Sequence, residues 1–211
     1  MSPRLPGSIL GKYMMKRRIA NLTSNILNPF FVSLGIILLL SFEATSNSFD
    51  ALKWALILVA ISILPVFLVI VYLFRNKRLE GLFINVRRQR NSIYFLASIC
   101  AVVGGIALFY LGAPLMLVAI LAAGFSVIVA FMCVNFFWKI SIHAAFVAAT
   151  VTLLTILYGF IGTVTAALLP PVVWARVELE YHSLSQVAAG AILAPLIIVV
   201  VFHFFGLIPF W

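Results

Sequence analysis

Acidic side chains are scarce in this chain of 211 residues, where five Asp and Glu stand against fourteen Lys and Arg. Charged residues of both signs make up 9% of the sequence, hydrophobic residues 65%, and the mean hydropathy is +1.23. So little charge excludes a water-soluble domain of this length, whose surface needs far more. The few oxygen-rich side chains, and the lack of any His, Cys, Asp and Glu group at ligand spacing, speak against a metal centre, and no cofactor is expected. No glycine-rich nucleotide loop and no repeat of fixed period occur. The longest polar segment, Arg75 to Ser92, has 18 residues, so no soluble domain is inserted and any chemistry must sit at a membrane surface. The basic start (Arg4, Lys12, Lys16, Arg17, Arg18) lacks a compact apolar stretch with a small-residue cleavage site. We read residues 1–20 as a cytosolic basic segment rather than a signal peptide. Cys100 and Cys133 lie inside apolar runs and read as small buried hydrophobes.

What is present is uncharged length. A membrane-spanning helix needs about 20 apolar residues to cross roughly 30 Å of hydrocarbon, and uncharged runs predict spans at 25–42, 54–74, 92–112, 114–136, 140–159, 163–179 and 184–206. The fold class expected is therefore all-α, a polytopic transmembrane bundle of six to seven spans forming a single integral membrane domain over 1–211. Ala144 to Ala175, 32 residues without a charge, is long for one span and short for two. Two glycines in Gly159-Phe160-Ile161-Gly162 offer a tight turn there, and we split the run at that point. As a single span it would put His143 and His182 on opposite faces. The Pro170-Pro171 pair predicts a kink in the sixth span.

Seven spans gather thirteen of the fourteen basic residues on one side, leaving Lys53 with Glu43 and Asp50 on the other. By the positive-inside rule the basic side is cytosolic, with the amino terminus inside and the carboxyl terminus outside. A net charge of +9 would suggest nucleic acid in a soluble protein. Beside membrane spans it reads as topology and anionic head groups, so membrane lipid is the expected partner and nucleic acid is not. Oligomeric state is left open.

Ionisable residues at the ends of apolar helices are costly to hold and are functional candidates by default. Two segments carry them: Lys139, Ser141 and His143 open the fifth span, and Arg176 to Gly190 lead into the seventh. These segments resemble the type 2 phosphatidic acid phosphatase superfamily, whose motifs run Lys-x6-Arg-Pro, Pro-Ser-Gly-His and Ser-Arg-x5-His-x3-Asp, often followed by Val-x-x-Gly. Ala175-Arg176 stands for Ser-Arg, five residues separate Arg176 from His182, and Gln186-Val187-Ala188-Ala189-Gly190 stands for Asp-Val-x-x-Gly. Ser141 and His143 match the second motif, with Ile140 and Ile142 in place of proline and glycine, and Arg87-Arg88-Gln89-Arg90 occupies the place of the first. The motif-bearing core would span roughly 75–206.

The resemblance implies a phosphatase acting on a lipid phosphate or an isoprenyl (di)phosphate. It makes His182 the nucleophile that forms a phosphohistidine, and His143 the acid that protonates the leaving oxygen. Gln186 stands where the family's aspartate accepts the other ring N–H of the nucleophile; a glutamine can orient but cannot neutralise. Arg176, Lys139, Ser141, Arg87 and Arg90 are the candidates for holding phosphate, since cations in a partly dehydrated site stabilise the charge growing on its oxygens. Glu178 would supply a carboxylate one turn before His182 if that segment were helical. Alternative readings stay open: Arg87, Arg88, Arg90 and Lys139 as topology signals or anchors, Arg176 as a snorkelling cation, and the whole chain as a non-catalytic lipid-binding or transport protein. His203, deep in the last span, reads as core-facing.

Overall fold

A computed structural model describes residues 7–78 and 87–208, with residues 7–10, Arg87 and Arg88 described through their backbone alone. The described residues form helices and connecting turns, without strands. Six helices are long and apolar enough to cross a membrane. Phe95, Phe109, Phe160, Leu196 and Phe204 lie on the outer surface, an apolar exterior that suits lipid rather than water.

Helix α1 (Gly7–Ile26) carries the basic amino-terminal segment. It stops at Leu27, where Asn28 begins α2 (Pro29–Glu43): the Asn28 side-chain oxygen accepts from the Phe31 amide at 3.1 Å, and Pro29 takes the first turn, where its missing N–H costs nothing. Ala20 of α1 is buried against Ala175 and Leu179, so α1 packs on the helix that precedes His182.

Helix α3 (Ser48–Leu58), a wide π turn (Val59–Ile63) and α4 (Leu64–Arg75) run on as one rod. Pro65 has no N–H to give the previous turn, and the ladder widens just before it. Helices α5 (Arg87–Tyr110) and α6 (Leu115–Phe137) form a long hairpin through Gly112. The buried Asn135 side chain in α6 donates to Asn91 Oδ1 of α5 at 2.6 Å.

Helix α7 (Ile142–Tyr158) is 17 residues, about 25 Å at the α-helical rise, the shortest of the apolar segments that cross the bundle. It ends at Gly159, whose φ of +58° is a conformation L side chains rarely adopt, and a Cβ at Gly162 would lie 2.0 Å from the Leu154 carbonyl oxygen. The split expected at these glycines is thus a hairpin: the chain returns through α8 (Phe160–Val164), a 3₁₀ turn (Thr165–Leu168) and α9 (Leu169–Glu178). The proline pair sits in the first turn of α9, after the 3₁₀ turn, so the sixth crossing is segmented there.

Helix α10 (Leu184–Phe204) closes the fold, packed on α7 and α6. A distal core of Leu40, Trp54, Leu58, Leu108, Leu117 and Phe202 fills one end of the bundle, and a second cluster of Tyr94, Phe131, Ile140, Ala145 and Ala194 supports the other. Tyr158 donates to Glu43, so the ends of α2 and α7 meet at the distal end. Alternation of helix direction then places the ends of α4, α6 and α9 and the starts of α5, α7 and α10 together at the opposite end. Cys133 departs from expectation: its side chain is exposed on the outer surface rather than buried, while Cys100 is half-buried.

Candidate functional site

Among the described residues, two loops and four helix ends build the polar end of the bundle. Ser141 caps α7, its hydroxyl accepting from the Ala144 amide at 3.5 Å, and Ser183 caps α10 in a reciprocal box with Gln186. Both histidines are positioned by these caps, His143 two residues after one and His182 one residue before the other. The loops are joined to each other: the Ser141 amide donates to the Gln186 carbonyl at 3.1 Å, and Lys139 Nζ donates to the Tyr181 carbonyl at 2.7 Å. Gly190 is the point of closest approach, because a Cβ there would stand 2.4 Å from the Ser141 carbonyl oxygen. Only glycine lets α10 cross the start of α7 at this distance.

After α9 ends at Glu178 the chain turns through Glu180, whose φ of +58° is a left-handed conformation that glycine adopts more cheaply. The turn is held by the Glu180 amide donating to the Val177 carbonyl at 2.9 Å and the His182 amide donating to the Arg176 carbonyl at 3.2 Å. This corrects the expectation for Glu178. The segment to His182 is not helical, and Glu178 faces α1, where a carboxylate oxygen is 3.9 Å from Lys16 Nζ.

Arg90, His143, Arg176 and His182 line one cavity of about 210 Å³, with Tyr94 beside them and Pro29, Phe30 and Ile70 among its apolar walls. All four are buried. Arg90 Nη2 donates to the Tyr94 hydroxyl at 2.8 Å and to the Ile140 carbonyl at 2.9 Å, while its Nε makes no hydrogen bond among the described residues. Arg176 Nη1 donates to Ser24 Oγ at 2.9 Å, and its guanidinium stacks 4.6 Å from the centre of the Tyr181 ring. His182 Nδ1 lies 3.1 Å from Gln186 Oε1. An amide oxygen only accepts, so this contact makes Nδ1 the protonated nitrogen and leaves the lone pair on Nε2.

Burial holds the His182 imidazole far below its ordinary pKa of 6.5, at about 3, and the positive charges of Arg176, Lys139 and Arg90 push the same way; only the Gln186 contact opposes them. Lys139 is lowered by burial and by Arg90 and Arg176. An anion entering here would reverse both pressures, because a neighbouring negative charge favours the cationic forms.

Of the residues singled out in the sequence, the structure thus brings Arg90, His143, Arg176 and His182 to one cavity and sets Gln186 behind His182. Ser141 and Lys139 stand beside it: the first caps α7, and the second ties the two loops together while its charge reaches His182. The side chain of Arg87 lies outside the described residues. His203 sits away at the far end of α10, its Nδ1 3.1 Å from the Ile208 carbonyl oxygen. Sequence reasoning missed Ser24, Tyr94 and Tyr181. Tyr94 follows Arg90 by one helical turn, a local signal that was there to be read, but Ser24 lies 152 positions from the arginine it meets.

Compared with protein-family models, with curated proteins and with solved structures, the chain matches none of them.

Proposed function

We propose that this chain is a membrane-embedded phosphatase of the type 2 phosphatidic acid phosphatase kind, hydrolysing an amphiphilic phosphate or diphosphate through a phosphohistidine. The observation that carries the reading is the convergence of two buried arginines and two buried histidines on one cavity from positions 90, 143, 176 and 182. The amino-terminal end of α7 lines it through Ile142 and His143 and adds the positive end of its dipole.

In this reading Arg90 and Arg176 hold the equatorial oxygens of the phosphoryl group. The His182 Nε2 lone pair attacks phosphorus, forming the N–P bond as the P–O bond to the leaving group breaks, and Gln186 holds the Nδ1 proton in place. His143, carried as the imidazolium once the phosphate anion is bound, gives its proton to the departing oxygen. It then takes a proton from water, whose oxygen attacks phosphorus, breaks the N–P bond, releases inorganic phosphate and restores neutral His182. A histidine poised as the neutral base is ready for the first step without deprotonation, and the incoming phosphate offsets the positive charge the ring acquires.

By the positive-inside rule the site faces the cytosol. The competing reading is a non-catalytic lipid-phosphate binder on the same frame, and Gln186 is the observation on its side, since it cannot neutralise the imidazolium. Phosphate release from a panel of lipid phosphates and isoprenyl diphosphates, with and without EDTA, tests the proposal. EDTA-resistant release that vanishes in His182→Ala supports it. Binding without release, in wild type and in Gln186→Asp, establishes the competitor.

A further inference from the structure

Behind the polar cavity lies a second one of about 190 Å³, lined by α2, α3, α5, α6, α7, α10 and the π turn. The two share Ser33, Ser62, Ile63, Ala97, Ile128 and Phe146, so they adjoin, a polar cavity set against an apolar one. The hydroxyls at the neck do not make it polar: Ser33 Oγ donates to the Pro29 carbonyl and Ser62 Oγ to the Leu58 carbonyl, each within its own helix. From His143 to Leu153, which line the two ends, α7 advances about 15 Å, half of the roughly 30 Å of bilayer hydrocarbon.

We propose that the deep cavity is a binding site for one hydrocarbon chain of the amphiphilic phosphate whose head group occupies the polar mouth. For its head group this inference rests on the reading above. The depth matches a chain that reaches the bilayer midplane. The volume admits part of one chain and not two chains side by side, since a dry cavity of about 150 Å³ is already taken by one benzene. A single saturated or isoprenyl chain with a terminal phosphate or diphosphate fits. A two-chain lipid would have to leave its second chain outside. The chain enters between α2 and α4, where Phe30 and Phe67 meet edge to face at 5.2 Å and Phe67 is exposed to lipid. The π turn, which supplies Ser62 and Ile63 to the neck, lies in the same rod as Phe67.

The test uses non-hydrolysable n-alkyl phosphonates from butyl to hexadecyl, one isoprenyl phosphonate and one dialkyl phosphate lipid, competed against a fluorescent alkyl phosphonate on the detergent-solubilised full chain. Each variant is referred to wild type in the same micelles, which cancels partitioning into detergent. Ala149→Phe fills the deep cavity from α7, and Ala97→Phe fills the neck from α5, giving a second variant should one fail to fold. The expected result is that the hexadecyl-to-butyl affinity ratio falls by about tenfold or more, the equivalent of two buried methylenes. The isoprenyl phosphonate should follow hexadecyl, and the dialkyl lipid should not. An unchanged ratio in both variants, no binding of any phosphonate, or equal sensitivity of the dialkyl lipid overturns the assignment. Phosphate release is measured in parallel and separates the two claims. Chain-dependent binding without release keeps the cavity and removes the phosphatase, whereas release with an unchanged ratio does the reverse.

Discussion

Both ends of this bundle carry charge and hydroxyl groups, and the two ends use them differently. At the distal end Asn47, which caps α3, and Asp50 and Lys53 in its first two turns meet locally: Lys53 Nζ reaches Asp50 Oδ1 at 2.6 Å, Asn47 Nδ2 reaches Asp50 Oδ2 at 2.7 Å, and these contacts are exposed. At the other end the groups come from four separate helices and loops and are buried, and their hydrogen bonds span large sequence distances, 50 positions from Arg90 to Ile140 and 152 from Arg176 to Ser24. An exposed local pair contributes little and follows from helix spacing alone. A buried constellation of like charge has to be assembled against desolvation and mutual repulsion, a cost that the binding of an anion, as proposed above, would offset.

The difference can be broken most directly at His182. His182→Ala is expected to remove phosphate release by a factor on the order of 10⁴, as for loss of other covalent nucleophiles; turnover that survives unchanged would refute its role. Next in size, Arg90→Ala and Arg176→Ala should each lower kcat/KM by about 10²-fold or more, while Lys53→Ala at the distal end leaves it within about twofold. Equal losses at the two ends would erase the contrast. Gln186→Asp sharpens it in the other direction: a carboxylate that accepts from Nδ1 and neutralises the imidazolium should raise turnover by about tenfold or more. His143→Ala should slow substrates with poor leaving groups and spare aryl phosphates, whose phenolate departs without a proton, a difference read from the leaving-group dependence of kcat.

The smallest effect is on stability. The folded pKa of His182, about 3, is depressed below the ordinary 6.5, so in this window the unfolded chain binds a proton that the folded chain does not. Stability from this group is complete above pH 6.5 and is lost as pH falls toward about 3. Thermal unfolding in detergent between pH 7 and pH 4.5 should show a fall in Tm of several degrees that His182→Gln reduces. Lys53→Ala should leave that slope as it is.

The local part of the site was legible in the sequence, because Arg176, His182, Gln186 and Gly190 sit in one short segment whose spacing survives folding. The turn at Gly159 was legible too, as the one place where an uncharged run offers backbone freedom. The break at Asn28 was not. The span expected at 25–42 is α2, but it starts at Pro29, since an asparagine followed by proline begins a new helix there. Glu178 failed for a related reason: three-to-four spacing implies a shared face only while the helix lasts, and α9 ends at that residue. The pairing of Ser24 with Arg176 depends on how α1 lies across α9, which no local pattern encodes.

The contact between Gly190 and the Ser141 carbonyl sets where motion in this molecule is permitted. With α7 and α10 touching backbone to backbone and the Ser141 amide bonded to the Gln186 carbonyl, the two histidines are tied into one block, and in the proposed reaction they would keep their mutual geometry. Breathing has to come from the rest of the frame. The Phe30 and Phe67 rings, the π turn and the α1 helix that reaches Arg176 through Ser24 lie outside that block, so in the proposed function substrate exchange would be gated by elements that carry no reacting group. Substitutions in those elements should therefore change the rates of entry and release while the chemical step keeps its speed.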